Sequence, residues 1–435
     1  MLLIYLPQKT PRIEYVFDLL FKHEWEIEYS ITHEKQAFEN YPNEKINYSN
    51  TKFNNEFFIR SHSLLSENFI EKKNILVEEK QHTKILFGND DSCVLGFDIF
   101  SAVFYMVTRY EEYLPFAPDI YGRYKAAESL ASQHNFLQKP VVDTWIDIFK
   151  NELQKRFPSL EIKTGSFHTI HTYDIDIAYK FKGRSLYRTL GSTGKDILKL
   201  HFKNIIERIK TLLIIQKDPW DIYENLRETI TGNKLNSVFF FLLADKTNQD
   251  KNLSHTNNRM KKLINNIKTF SKIGIHPSFS TSDFPEKILI EKERLEKISD
   301  ETINKSRQHF LKFKMPDTYN FLISAGISED YSMGFPEAPG FRAGTCKPFY
   351  FYDLKNEKAT LLKIFPVTCM DATFIHYSKI SAEKSLFAIL NLMKEVKKVE
   401  GTFIPIWHNN YLGENKKWKS VHEKTITQTK AYLKK

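Results

Sequence analysis

The chain has 435 residues, too many for one ordinary domain and suited to two or three. Hydrophobic residues make up 41% and aromatics 14%, which supplies material for large cores and excludes a chain disordered by composition. Lys+Arg 63 against Asp+Glu 53 leaves a net charge of +10, but the lysines are diffuse, and stretches such as Lys203 to Lys217 and Lys394 to Lys398 have helix-like patterns. The surplus is expected on solvated helix faces, with no recognised nucleic-acid-binding module beside it. The three cysteines, Cys93, Cys346 and Cys369, are odd in number and widely spaced. That excludes a disulfide framework or zinc knuckle and fits a reducing compartment.

The first residues, MLLIYLPQKTPRIEYVFDLLF, lack the long apolar centre and cleavage site of a signal peptide. They predict a strand, a turn and a helix from about Arg12. No apolar run approaches the roughly 20 residues of a membrane span, so no integral membrane segment is expected and the location is expected to be cytoplasmic. Short strands at Leu2–Leu6, Phe57–Ile59 and Lys84–Phe87 alternate with helical stretches, among them FDIFSAVFYMVTRYEEYL and KPVVDTWIDIFKNELQKRFP. Residues 1–160 are thus expected to form a small α/β domain. In TRYEEYL, Arg109 and Glu112 are candidates for fixing a domain interface. Pro158 and the polar residues after it mark a boundary.

From 161 to 435 the rhythm changes. Strands are predicted at Phe167–Tyr173, Val238–Leu243, Ile273–His276, Lys305–Phe310, Asp330–Met333, Leu361–Phe365 and Phe403–Trp407, with helices between. Seven strands alternating with helices argue for a parallel α/β domain, an open sheet or a barrel. Residues 184–236 stand out as an insertion of two helices broken at Asp218–Pro219.

Functional residues of such domains collect at the C-terminal ends of strands. Those ends carry Asp174 and Asp176 in TYDID, His276, the pair Arg307 and His309, Asp371 and His408, with Arg342 in the loop GFRAG. A single aspartate there is often a helix cap and a single histidine often structural, but the joint pattern fits metal-assisted hydrolysis. Asp and His suit zinc or another divalent metal, which lowers the pKa of water toward neutrality. A separate carboxylate can accept a proton, a histidine opposite can protonate a leaving amine, and an arginine beside the base would hold it ionised.

On these residues the chain from about Ser166 onward resembles the polysaccharide deacetylases, the NodB-homology carbohydrate esterases. The resemblance implies a distorted (β/α)7 barrel and removal of N- or O-linked acetyl groups from a sugar or polysaccharide. It assigns Asp174 as base, Asp176 as metal ligand, Arg342 in GFRAG as the brace of the base, Asp371 in CMDAT as the partner of the acid, and His408 in FIPIWH as that acid. One motif departs. The family places two metal-binding histidines four residues apart, whereas His276 is followed at that offset by Ser280. His309, at the end of the next strand, is the expected replacement, giving Asp176, His276 and His309 as the ligand set. Trp407, Phe349, Tyr350 and Tyr352 are candidates for stacking on a sugar ring. Two other readings compete with the deacetylase: a degenerate barrel that binds a glycan or scaffolds an envelope-polysaccharide pathway, favoured by Ser280, and an amidohydrolase acting on a non-sugar substrate.

Overall fold

A computed structural model describes residues 1–80 and 82–433. Four short parallel strands open the chain: β1 (Leu2–Tyr5), β2 (Tyr29–Thr32), β3 (Lys45–Ser49) and β4 (Phe57–Arg60), in the order β2-β1-β3-β4. Strand β1 was predicted and lies in the middle of this sheet; β2 and β3 were not, because YSIT and KINYS are too short and too polar to show a clear alternation. The run predicted at Lys84–Phe87 instead forms half of an antiparallel pair, β5 (Glu78–Lys80) with β6 (Thr83–Ile85). Helix Pro11–Phe17 follows β1, as predicted, and two later helices carry much of the core of this part. Ile99–Val107 is buried along its whole length and capped by Asp98, whose carboxylate accepts the amides of Phe100 and Ser101. Val141–Arg156 carries Trp145, Phe149 and Leu153 on its buried face.

The remaining strands are β7 (His168–Thr169), β8 (His171–Ile175), β9 (Ser237–Phe241), β10 (Lys272–Ile275), β11 (Lys305–Ser306), β12 (Glu329–Asp330), β13 (Phe349–Asp353), β14 (Lys358–Ile364), β15 (Cys369–Met370), β16 (Thr402–Phe403) and β17 (Pro405–His408). Nine of them form one sheet in the order β13-β14-β12-β11-β10-β9-β8-β17-β15, parallel throughout except for the β13–β14 hairpin, while β7 and β16 pair separately. Every predicted strand after residue 160 overlaps one of these. Their C-terminal ends point the same way, so the side chains that follow them share one face of the fold.

The expected closed (β/α)7 barrel is observed as an open ladder ending at β13 and β15. Residues 365–368 link its two sides: the Phe365 amide donates to Asp330, the Val367 amide to Met333, and the Thr368 amide to Ile404. Pro366 sits in the middle of this crossing without an N–H to donate, and the neighbouring strands β11, β12 and β15 are two residues long. A continuous ladder has nothing to pair with there.

The sheets share one contiguous apolar core that runs from Leu2 to Ile426. Between them lies a buried ionic junction. Arg342 forms a fork on Glu112, Nε to Oε1 at 2.8 Å and Nη2 to Oε2 at 2.6 Å, and Arg109 binds the same carboxylate at 2.7 Å. Asp143 accepts the Thr345 hydroxyl and the Cys346 amide, both at 2.8 Å. Gly340 lets this loop come close: its φ is +139°, and a Cβ there would lie 2.5 Å from the Leu137 carbonyl. TRYEEYL and GFRAGTCKPF are therefore the two halves of one junction, as anticipated for Arg109 and Glu112. The insertion after β8 holds three helices, Leu186–Leu198, Phe202–Leu212 and Tyr223–Gly232. Asp218, before Pro219, caps the turn that leads in by accepting the amides of Lys180, Phe181 and Lys182.

Candidate metal and catalytic site

Strand β8 is flanked by β9 and β17, and His408 is in register with Asp174. Alternation along β8 sends Tyr173 to the helical side, where it stacks on Phe239 and its hydroxyl meets His422. Thr172 and Asp174 take the opposite face. Residues two apart in extended chain share a face, so Asp176, just past the strand, joins Asp174 there. Both carboxylates approach His276 Nε2, Asp176 at 3.2 Å and Asp174 at 3.9 Å.

His309 reaches the same place by a turn. The predicted extended run stops at Ser306, and Phe310 and Leu311 follow with φ of 62° and 49°. Left-handed backbone is costly for such side chains. Here it swings the His309 ring beside His276, with ring centroids 5.0 Å apart. Arg123, from the N-terminal part, holds the turn by donating to the Phe310 carbonyl at 2.7 Å.

Asp176, His276 and His309 each direct one ligand atom to a common point, all within 4.8 Å of one another. The three fit a divalent cation. Asp176 Oδ1 is buried and has no hydrogen-bond partner. His276 Nδ1 meets the Arg307 carbonyl at 2.5 Å and His309 Nδ1 meets Asp250 at 2.9 Å, which commits those nitrogens as donors and turns both Nε2 atoms inward. Burial would raise the Asp176 pKa, but His309, His276 and His408 hold it well below the usual carboxylate range. Burial likewise opposes charge on His309, yet Asp176 and Asp250 carry its pKa up to about 9. Ser280 lies apart, bonded to Ser278 and Lys287.

Two further pairs flank the three ligands. On one side, Arg307 Nη1 donates to Asp174 at 3.1 Å and to Thr172 at 2.8 Å, while its Nε holds the Tyr331 carbonyl. On the other, His408 Nδ1 binds Asp371 at 2.6 Å and the second Asp371 oxygen accepts the His408 amide. The His408 Nε2 faces Asp176 at 3.8 Å. Burial alone would lower the pKa of His408; Asp371, then Asp176 and Asp174, raise it to about 10.

One sequence expectation is displaced. Arg342 was assigned to brace Asp174, but its guanidinium is taken by Glu112, and the cation on Asp174 is Arg307. The aromatic candidates also lie elsewhere. Trp407 is packed against His422, and Phe349 and Tyr352 are buried in the core. Tyr350 lines a separate cavity with Tyr15 and His23.

The cleft over the site has a volume of about 470 Å³ and is walled by residues that strand-end reasoning passed over: Tyr121 and Arg123 from the N-terminal part, His376 and Tyr377 after β15, and Tyr411 after β17. Arg123 ties this wall together, bonded to Asp119 and to the Tyr377 hydroxyl. Asp250, the outer partner of His309, was likewise missed. It sits in the polar loop after β9, and a lone aspartate in TNQDKN carries no local signal.

Residues 2–158 match the model of a family of unknown function, DUF7033. No curated protein matches. The chain is similar in structure to proteins of the polysaccharide deacetylase type. A protein assigned as a polysaccharide deacetylase from Mycobacterium smegmatis superposes with a TM-score of 0.41 and 13% identity, over 62% of this chain and 85% of that one. An allantoinase gives 0.40 and 9%, over 61% and 85%. A pseudoenzyme of carbohydrate esterase family 4 from Bacillus anthracis gives 0.33 and 8%, over 62% of each.

Proposed function

We propose that the protein is a metal-dependent hydrolase that removes N- or O-linked acetyl groups from a sugar or polysaccharide. The observation that carries this reading is the convergence, in one cleft, of three ligand-competent side chains with a carboxylate braced by arginine on one side and a histidine bound to Asp371 on the other. Asp176, His276 and His309 would hold a divalent cation, of which zinc suits the donor set. When bound it would polarise the scissile carbonyl and acidify water.

The chain's own residues account for the proton transfers. Asp174 accepts a proton from the attacking water, and Arg307, itself held by Thr172 and the Tyr331 carbonyl, fixes its orientation. His408 donates a proton to the departing amine or alkoxide, and Asp371 holds that ring in the tautomer that presents Nε2 to the cleft. Arg123 and Tyr377 supply donors, and Tyr121 and Tyr411 flat faces, of the kind that hold a pyranose ring.

The glycan-binding reading rested on Ser280. The position of His309 beside Asp176 and His276 supports a three-membered ligand set and favours the hydrolase. The test is metal analysis of the purified protein joined to acetate release from a panel of N- and O-acetylated sugars. Bound divalent metal with release abolished by chelator is the expected result. Tight stoichiometric metal with no release from any acetylated sugar, but with hydrolysis of a non-sugar amide, would move the substrate class.

A further inference from the structure

The helical hairpin formed by Leu186–Leu198 and Phe202–Leu212 is built inside out. Arg208, Thr193 and Asp196 face one another and the body of the protein. Arg208 is buried, bonded to Asp196 and to the Thr193 hydroxyl, and stacked over Phe181. Thr211 is buried beside it, bonded to Gln216. The apolar side chains point outward. Leu186, Leu190 and Ile197 run along one helix, and Phe202, Ile206 and Ile209 along the other, each more than half exposed. The segment that follows, through Ile214 and Ile215, is 84% and 67% exposed at those two residues. Single exposed aliphatics need no explanation, but a continuous stripe over two helices does.

Charge says what covers it. Between Lys180 and Lys217 there are ten Lys and Arg against two acidic residues, so this segment holds eight of the chain's ten net positive charges. Both acids are already engaged, Asp196 by Arg208 and Glu207 by Lys180. Lys195, Lys199, Lys203, Lys210 and Lys217 form no ion pair among the described residues. A second copy of the chain laid on this stripe would set like charge against like. A nucleic acid would satisfy the lysines and leave the aliphatics in water.

We propose that the hairpin is a peripheral docking surface for an anionic lipid bilayer. The apolar stripe enters the boundary between headgroups and acyl chains, and the flanking lysines meet lipid phosphates. No helix among the described residues is long and apolar enough to cross a membrane, which suits a helix pair lying in the interface. The hairpin follows β8 directly, leaving the sheet at the end that carries Asp174 and Asp176. The inference does not rest on the hydrolase reading.

The test is sedimentation of the full-length protein with vesicles of phosphatidylglycerol and phosphatidylcholine, set against vesicles of phosphatidylcholine alone. The protein should partition onto the anionic vesicles and lose most of that binding as salt is raised. The double variants Ile206→Ser/Ile209→Ser and Lys199→Glu/Lys203→Glu should each weaken it by about tenfold or more. Neither set reaches the core, so circular dichroism and the thermal transition should stay as in the parent chain. Failure to bind anionic vesicles, equal binding to both vesicle types, or retained binding in either variant overturns the proposal. A dimer in solution that Ile206→Ser/Ile209→Ser converts to monomer, without vesicle binding, would assign the stripe to a second copy instead.

Discussion

Arg342 and Arg307 separate what the sequence motif suggests from what the fold does. Arg342 is 1% exposed, forks onto Glu112 at 2.8 and 2.6 Å, donates to the Gly334 carbonyl at 3.0 Å, and lies over the Phe313 and Phe335 rings at 4.3 and 4.8 Å. Burial would push the Glu112 pKa up, but Arg342 and Arg109 bring it below the ordinary value, so the carboxylate is ionised. Arg342→Met keeps the packing and leaves that buried charge with Arg109 alone. Removing one partner of a buried ion pair costs about 3–5 kcal/mol. Because Arg109 remains, the low end applies, about 3 kcal/mol. For domains of this size each kcal/mol shifts the melting temperature by about 2–4 °C, so a fall of about 6–12 °C is expected. Calorimetry or fluorescence melting reads the shift, and acetate release measured well below the transition reads the turnover. Turnover should be close to that of the parent protein. Arg307→Lys should do the reverse: metal content kept, kcat down by about tenfold or more because the lysine cannot hold Asp174, Thr172 and the Tyr331 carbonyl together. An Arg342→Met protein with an unmoved melting temperature and a hundredfold loss of kcat would refute the reasoning and restore Arg342 as the brace.

The remaining predictions concern the site. His309→Ala should abolish stoichiometric zinc binding measured by emission spectroscopy after dialysis, and Asp250→Asn should weaken affinity by about 10–100-fold through loss of the outer hydrogen bond; full occupancy in His309→Ala sinks the ligand assignment. Asp174→Asn should retain metal while kcat falls by about 10²–10⁴-fold, and Asp176→Asn should lose metal and turnover together. Asp371→Asn removes the main influence raising the His408 pKa to about 10 and leaves burial to pull it down. In the proposed reaction His408 is the acid, so the alkaline limb of the kcat profile should move to lower pH. An unmoved limb would dissociate His408 from the acid role.

Apolar runs located nine of the eleven strands after residue 160 and missed β13 and β15, because FYFYD pairs back in a hairpin and CM is only two residues long. The same strand ends delivered Asp174, Asp176, His276, His309, Asp371 and His408, since parallel strands must release their next residues on one face. What local sequence could not carry is which arginine meets which carboxylate. Arg307 sits inside a predicted strand and Arg342 in a glycine-rich loop, and only the packing of GFRAG against TRYEEYL across more than 200 residues decides that Glu112 claims Arg342. The open ladder likewise depends on where Pro366 falls in the crossing between β14 and β15.

The cleft walls and the charge were illegible for related reasons. Tyr121, Arg123 and Asp250 lie in loops without periodicity; the first two reach the site when the N-terminal part folds over the sheet, and Asp250 when the loop after β9 meets His309. The sequence placed two helices in the insertion at 184–236, and a surface helix ordinarily turns an apolar face inward. Which face a helix buries is set by what the rest of the molecule offers it. Here Phe181, Thr193 and Asp196 receive Arg208, and the aliphatic stripe is left facing out. Sequence determined the elements and the chemistry available at the strand ends, because both follow from residue type and short-range spacing. Tertiary structure decided the pairings, the walls and the exposed face, because those depend on contacts between residues far apart in the chain.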